Sequence, residues 1–147
     1  MKKYIHLLIM AIGIFILAGC ESHGKKYDYN KKQNVYYKGD GVDESTARKL
    51  AEYLGKIKYF DGEKSLSVQI TKDKDTKDTL NINFVVDESK ITDKIEITFL
   101  KLGRFISEEV YNSDPVNINF IDSHFGMIKK LGYAKPIVDE EAPGGVQ

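Results

Sequence analysis

The chain reads as an α+β protein. The expected architecture is a two-layer sandwich, a four-stranded and mostly antiparallel sheet with helices on one face, in the order β-α-β-β-α-β-α. Two patterns predict it. Residues 65–71, 80–86 and 116–120 alternate apolar and polar side chains with period two, as strands covered on one side do. Residues 47–54 and 95–110 instead repeat their apolar side chains every three to four positions, as helices with one buried stripe do.

The first segment stands apart from that fold. Lys2 and Lys3 precede an apolar run, Tyr4 to Leu17, which ends in Leu17-Ala18-Gly19-Cys20. A basic head, an apolar middle and a small-residue end are the three parts of a secretory signal. The run falls short of the roughly 20 residues that cross a ~30 Å hydrocarbon core. Leu17-Ala18-Gly19-Cys20 resembles the lipobox of bacterial lipoproteins. The resemblance implies a signal peptide over 1–19, cleaved before Cys20, a diacylglycerol on the Cys20 thiol and acylation of the new amino group. It implies a lipid-anchored, palmitate-bearing protein on the extracytoplasmic side of a cell membrane. Glu21 is not the aspartate that signals inner-membrane retention, so the address in a two-membrane cell would be the periplasmic side of the outer membrane. Cys20 is the only cysteine, and no intramolecular disulfide can support the domain.

After Cys20 the stretch ESHGKKYDYNKKQ has no apolar period, and residues 20–33 are expected as lipidated cysteine plus flexible linker. Such a spacer averages about 20 Å end to end. A single domain is expected over 34–135 and a flexible tail over 136–147. Without Lys2 and Lys3, 22 acidic side chains face 20 basic ones. A net charge near −2 lacks the basic excess of a nucleic-acid binder.

Within the domain, Val35-Tyr36-Tyr37 forms a short strand that stops at Gly39-Asp40-Gly41. Asp43 or Ser45 caps a helix whose residues Ala47, Leu50, Ala51 and Leu54 share one face. Leu66, Val68 and Ile70, then Leu80, Ile82, Phe84 and Val86, give two strands joined by a charged loop. Thr92 or Asp93 opens a longer helix with Ile95, Phe99, Leu102, Ile106 and Val110 on one side, helped by Leu100 and Phe105. Pro115 stops it. Val116, Ile118 and Phe120 make a fourth strand, and Phe125, Ile128 and Leu131 suggest a last helix begun at Ser123 and ended at Gly132. Two strand-helix-strand units joined by a hairpin resemble the ferredoxin-like split arrangement.

Chemistry is sparse in this pattern. His124 beside Asp122 and Ser123 supplies the residue types of a triad, but consecutive residues diverge and do not make one. Asp73, Asp75 and Asp78 lack the glycine and glutamate that a calcium loop of the EF-hand kind requires. No metal site, no cofactor and no enzyme activity are expected. The expected function is a non-catalytic binding or structural module of the cell envelope, contacting an envelope protein or cell-wall component. Its candidate partner-binding face is the polar side of the sheet: Ser67, Gln69, Asn81, Asn83, Asn117 and Asn119. The alternative is a small periplasmic or cell-surface hydrolase, which would need a pocket lined by His124 and an acid.

Overall fold

A computed structural model describes residues 23–76 and 78–133. Cys20, the signal segment and the tail 136–147 lie outside the described residues. In chain order the elements are β1 (Lys25–Asp28), β2 (Gln33–Tyr37), α1 (Glu44–Lys56), β3 (Leu66–Lys72), β4 (Leu80–Val85), α2 (Asp93–Val110), β5 (Val116–Ile121) and β6 (Met127–Tyr133). A single turn of 3-10 helix, Glu88–Lys90, precedes α2.

These strands form one six-stranded sheet in chain order, β1-β2-β3-β4-β5-β6. Pairs β1–β2, β3–β4 and β5–β6 are antiparallel, whereas β2–β3 and β4–β5 are parallel. The expected four-stranded, mostly antiparallel sheet with three helices is thus replaced by a mixed sheet of six strands and two helices. The ferredoxin-like arrangement fails for the same reason, because each helix here links adjacent parallel strands. Periodicity locates elements, and it does not choose their neighbours.

Both helices lie on one face. Phe99 of α2 packs edge-on against Phe84 and Phe120, while Ala47, Leu50, Ala51 and Leu54 of α1 are fully buried in the same core as Val35, Val68 and Ile70. Strands β2 and β3 run opposite to β4 and β5, yet the chain advances across the sheet in one direction. The two crossovers therefore have opposite hands, and one departs from the right-handed rule for such connections.

Local chemistry explains the element ends. Asp43 caps α1 by accepting from Thr46 N at 2.9 Å, and Thr92 caps α2 by accepting from Ile95 N at 3.3 Å. The inner stripe of α2 is Phe99, Leu102, Gly103, Ile106, Ser107 and Val110, while Ile95 and Phe105 of the expected stripe are exposed. Gly103 sits where a Cβ would enter the Ile118 side chain of β5, so the close neighbour is a β-branched residue.

Two expected elements are corrected at the sheet edges. Lys25–Asp28, expected within the linker, pairs with β2, from Lys25 opposite Tyr37 to Asp28 opposite Asn34. Its Lys-Lys-Tyr-Asp sequence is too short and too charged to show a period, and charge is common on edge strands. The last helix is instead strand β6, joined to β5 by a turn in which Asp122 Oδ1 accepts from His124 N and Gly126 N, both at 2.8 Å. Irregularities in the β5–β6 register let Ile128 and Leu131, three apart, both pack on the core. That spacing is what imitates a helix in the sequence.

Candidate binding trough on the polar sheet face

The alternation that points Val68, Ile82 and Ile118 at the helices turns their neighbours to the other side of the sheet. Register then lines these neighbours up in ranks. Gln69, Asn83 and Asn119 face one another across β3, β4 and β5, and Thr71, Asn81 and Asn117 form the next rank. In the first rank Asn119 Nδ2 donates to Asn83 Oδ1 at 2.9 Å, Asn83 Nδ2 to Gln69 Oε1 at 3.1 Å, and Gln69 Nε2 to the His23 carbonyl at 3.0 Å. In the second, Asn117 Nδ2 donates to Asn81 Oδ1 and to Asp73 Oδ2, both at 3.1 Å. Ser67, one strand pair away, donates its hydroxyl to Asn34 Oδ1 at 2.9 Å.

The six residues chosen from the sequence thus share a face but not a role. Gln69, Asn83 and Asn119 are at most 5% exposed, and their amides bond to one another and to the backbone. Buried polar groups need such partners, and these three supply them to one another across β3, β4 and β5. Asn81, Asn117 and Ser67 are half-buried and remain in reach of a ligand.

Beside the first rank, linked to it through Gln69 and the His23 carbonyl, lies an aromatic roof that the sequence did not reveal. His23 stacks on Phe125 with ring centres 4.5 Å apart, and Phe125 meets Tyr36 edge-on at 5.0 Å. Phe125 belongs to the β5–β6 turn and Tyr36 to β2, so side chains from well-separated strands converge in one cluster. Phe125 adopts a left-handed backbone, φ 65°, which costs a bulky residue about 1–3 kcal/mol. The Asp122 turn and the aromatic stack offset that strain. Asp122 followed by Gly126 was the available signal, since an aspartate that bonds ahead to the backbone marks a turn.

Beyond the roof the face opens into a concavity of about 640 Å³. Asn81, Asn83, Asn117 and Asn119 form its floor, and Lys38, Lys72, Lys74, Lys130, Asp73, Asp75 and Met127 contribute its walls. Backbone N–H groups of Asp75 and Thr76 hold the Asp73 carboxyl below the usual carboxylate range, with a further contribution from Asn117. Asp73 is thus an engaged anion. Lys72, Lys74 and Lys130 make no ion pair among the described residues. The arrangement can offer ammonium groups and the Asn81 amide N–H to a polar, anionic group.

His124 lies at the far side of the roof turn. Its Nδ1 is 3.4 Å from Ser123 Oγ, but the Asp122 carboxylate bonds to backbone N–H groups and not to the imidazole. The three side chains are a turn, and the Asp122 carboxyl is lowered chiefly by the Gly126 and His124 N–H groups. Among the described residues no cluster of three or more potential metal ligands occurs. No helix among them is long and apolar enough to cross a membrane.

A family model, AF_1994_N, described as a family N-terminal domain, matches residues 26–132. The match runs from β1 into β6 and takes in the whole trough. No curated protein and no solved structure matches the chain.

Proposed function

The chain belongs to that AF_1994_N family, and from this premise we propose that it is a lipid-anchored module of the cell envelope that binds its partner through the lysine-walled trough. The anchor rests on Leu17-Ala18-Gly19-Cys20 behind the apolar run. With two or more acyl chains, at about 0.8 kcal/mol per buried methylene, attachment is stable and does not exchange. The binding role rests on the trough, where half-buried amides and several ammonium groups converge on a cavity. No reaction is assigned to it: of the two carboxylates in its wall, Asp73 is committed to backbone and amide donors, and Asp75 has no histidine or cysteine beside it in the lining.

Metabolic labelling with palmitate, followed by membrane fractionation, tests the anchor. The parent chain should carry label and sediment with membranes, and Cys20→Ser should lose both. A photo-crosslinking residue at Asn81 tests the binding role and should capture an envelope component that the same residue at Ile97, on the exposed side of α2, does not.

A further inference from the structure

The point at which the chain enters the fold decides which side of it meets the membrane. His23 is not part of a free spacer: its carbonyl accepts from Gln69 Nε2 at 3.0 Å and its ring stacks on Phe125. Only Glu21 and Ser22 separate it from Cys20. Three peptide steps reach at most about 10 Å. A 13-residue spacer would instead leave about 20 Å on average. The short tether therefore keeps His23, and with it the near edge of the polar face, about as close to the lipidated cysteine as the Debye length of about 8 Å at physiological ionic strength. The entry point lies on the polar face, which is also where the trough opens. Gln69, which holds His23, is two residues before Thr71 in the trough wall.

We propose that the trough docks on anionic phospholipid headgroups of the membrane that carries the anchor. This rests on the lipoprotein reading above and names the partner of the same site. Charge favours it: Lys38, Lys72, Lys74 and Lys130 line the trough against the two carboxylates Asp73 and Asp75, and Lys72, Lys74 and Lys130 make no ion pair among the described residues. Juxtamembrane lysines are drawn to anionic leaflets in this way. The opposite face is covered by α1 and α2, and Ile97 points outward from it at 53% exposed. In the docked state α2 therefore faces away from the bilayer.

The sequence contains no tryptophan, so a single introduced one reports its position alone. The full lipidated chain is reconstituted into vesicles of anionic phospholipid doped with a headgroup-attached quencher. Met127→Trp, in the trough wall, should be quenched strongly and Ile97→Trp weakly; Lys74→Trp is a second trough probe should Met127→Trp disturb β6. Replacing the anionic lipid by a zwitterionic one, or adding Lys72→Gln and Lys130→Gln, should remove most of the difference. Inorganic phosphate at matched ionic strength should leave it unchanged. Equal quenching of the two probes, or quenching insensitive to the lysines, overturns the proposal. Abolition by inorganic phosphate also overturns it, in favour of a free-anion site. A parent chain without palmitate would overturn both the anchor and the docking, whereas a palmitoylated chain with an unquenched trough overturns the docking alone.

Discussion

The Tyr111 hydroxyl, just past the end of α2, donates to the Thr46 carbonyl in the first turn of α1 at 3.0 Å. The two residues are 65 positions apart, and this bond ties the helices to each other over the sheet. Tyr111 is buried, so its hydroxyl needs that partner. Tyr111→Phe keeps the ring and removes the bond, and a net cost of about 0.5–1.5 kcal/mol is expected. Urea unfolding of the two chains checks it, and an unchanged midpoint would mean that the bond contributes nothing.

The same hydroxyl carries a pH dependence. Burial raises the Tyr59 and Tyr111 hydroxyls above their ordinary value of 10.0. The unfolded chain ionises these groups near pH 10, while the folded chain keeps them protonated. Their contribution is therefore fully present below pH 10 and is lost as pH rises through the folded values. Thermal melts should fall steeply above pH 10, and Tyr111→Phe should flatten that fall. An equal slope in both chains would place the alkaline sensitivity elsewhere.

Asn83 is the middle rung of the buried amide rank. Asn83→Ala strands Asn119 Nδ2 and Gln69 Oε1 together, and a buried group left unpaired costs about 1–3 kcal/mol. Lys130→Ala, on the exposed rim of the same face, should stay within about 0.5 kcal/mol. The contrast, read from chemical denaturation, separates support from surface. Similar losses in the two variants would show that the rank is not what holds the face.

Gly103→Ala sets two effects against each other. Alanine is favoured over glycine in a helix by about 1 kcal/mol. The new methyl group would enter the Ile118 side chain, and overpacking costs about 1–3 kcal/mol. Net destabilisation is expected because Ile118 is fully buried and has little room to move. A raised melting temperature would show that the α2–β5 contact can relax.

The sequence determined each element whose period was long enough to read. Ala47, Leu50, Ala51 and Leu54 on α1, and the alternation through β3, β4 and β5, describe a buried face from local spacing alone. The same alternation put Asn81, Asn83, Asn117 and Asn119 on the other side of the sheet before any neighbour was known. Only the tertiary structure decided which strands adjoin. A hydrophobic face records that it is covered, and not by which strand it is flanked. It also decided the edges, because β1 is four residues long and β6 is irregular in register.

Gln33 shows why the rest was hidden. Its sequence context is a polar run that reads as spacer, yet the side chain is fully buried. Its Nε2 donates to Asp61 Oδ1 and the Lys64 carbonyl, and its Oε1 accepts from Asn30 Nδ2 and Gly62 N. Both donors and both lone pairs of the amide are used. Three of those partners lie 28 to 31 residues along the chain and reach Gln33 only after α1 has carried the chain back beside β2. Hydrophobic period is a local property and can be read in order. The cost of burying a polar side chain is met by whatever the fold brings to it, and those partners exist only once the sheet has closed.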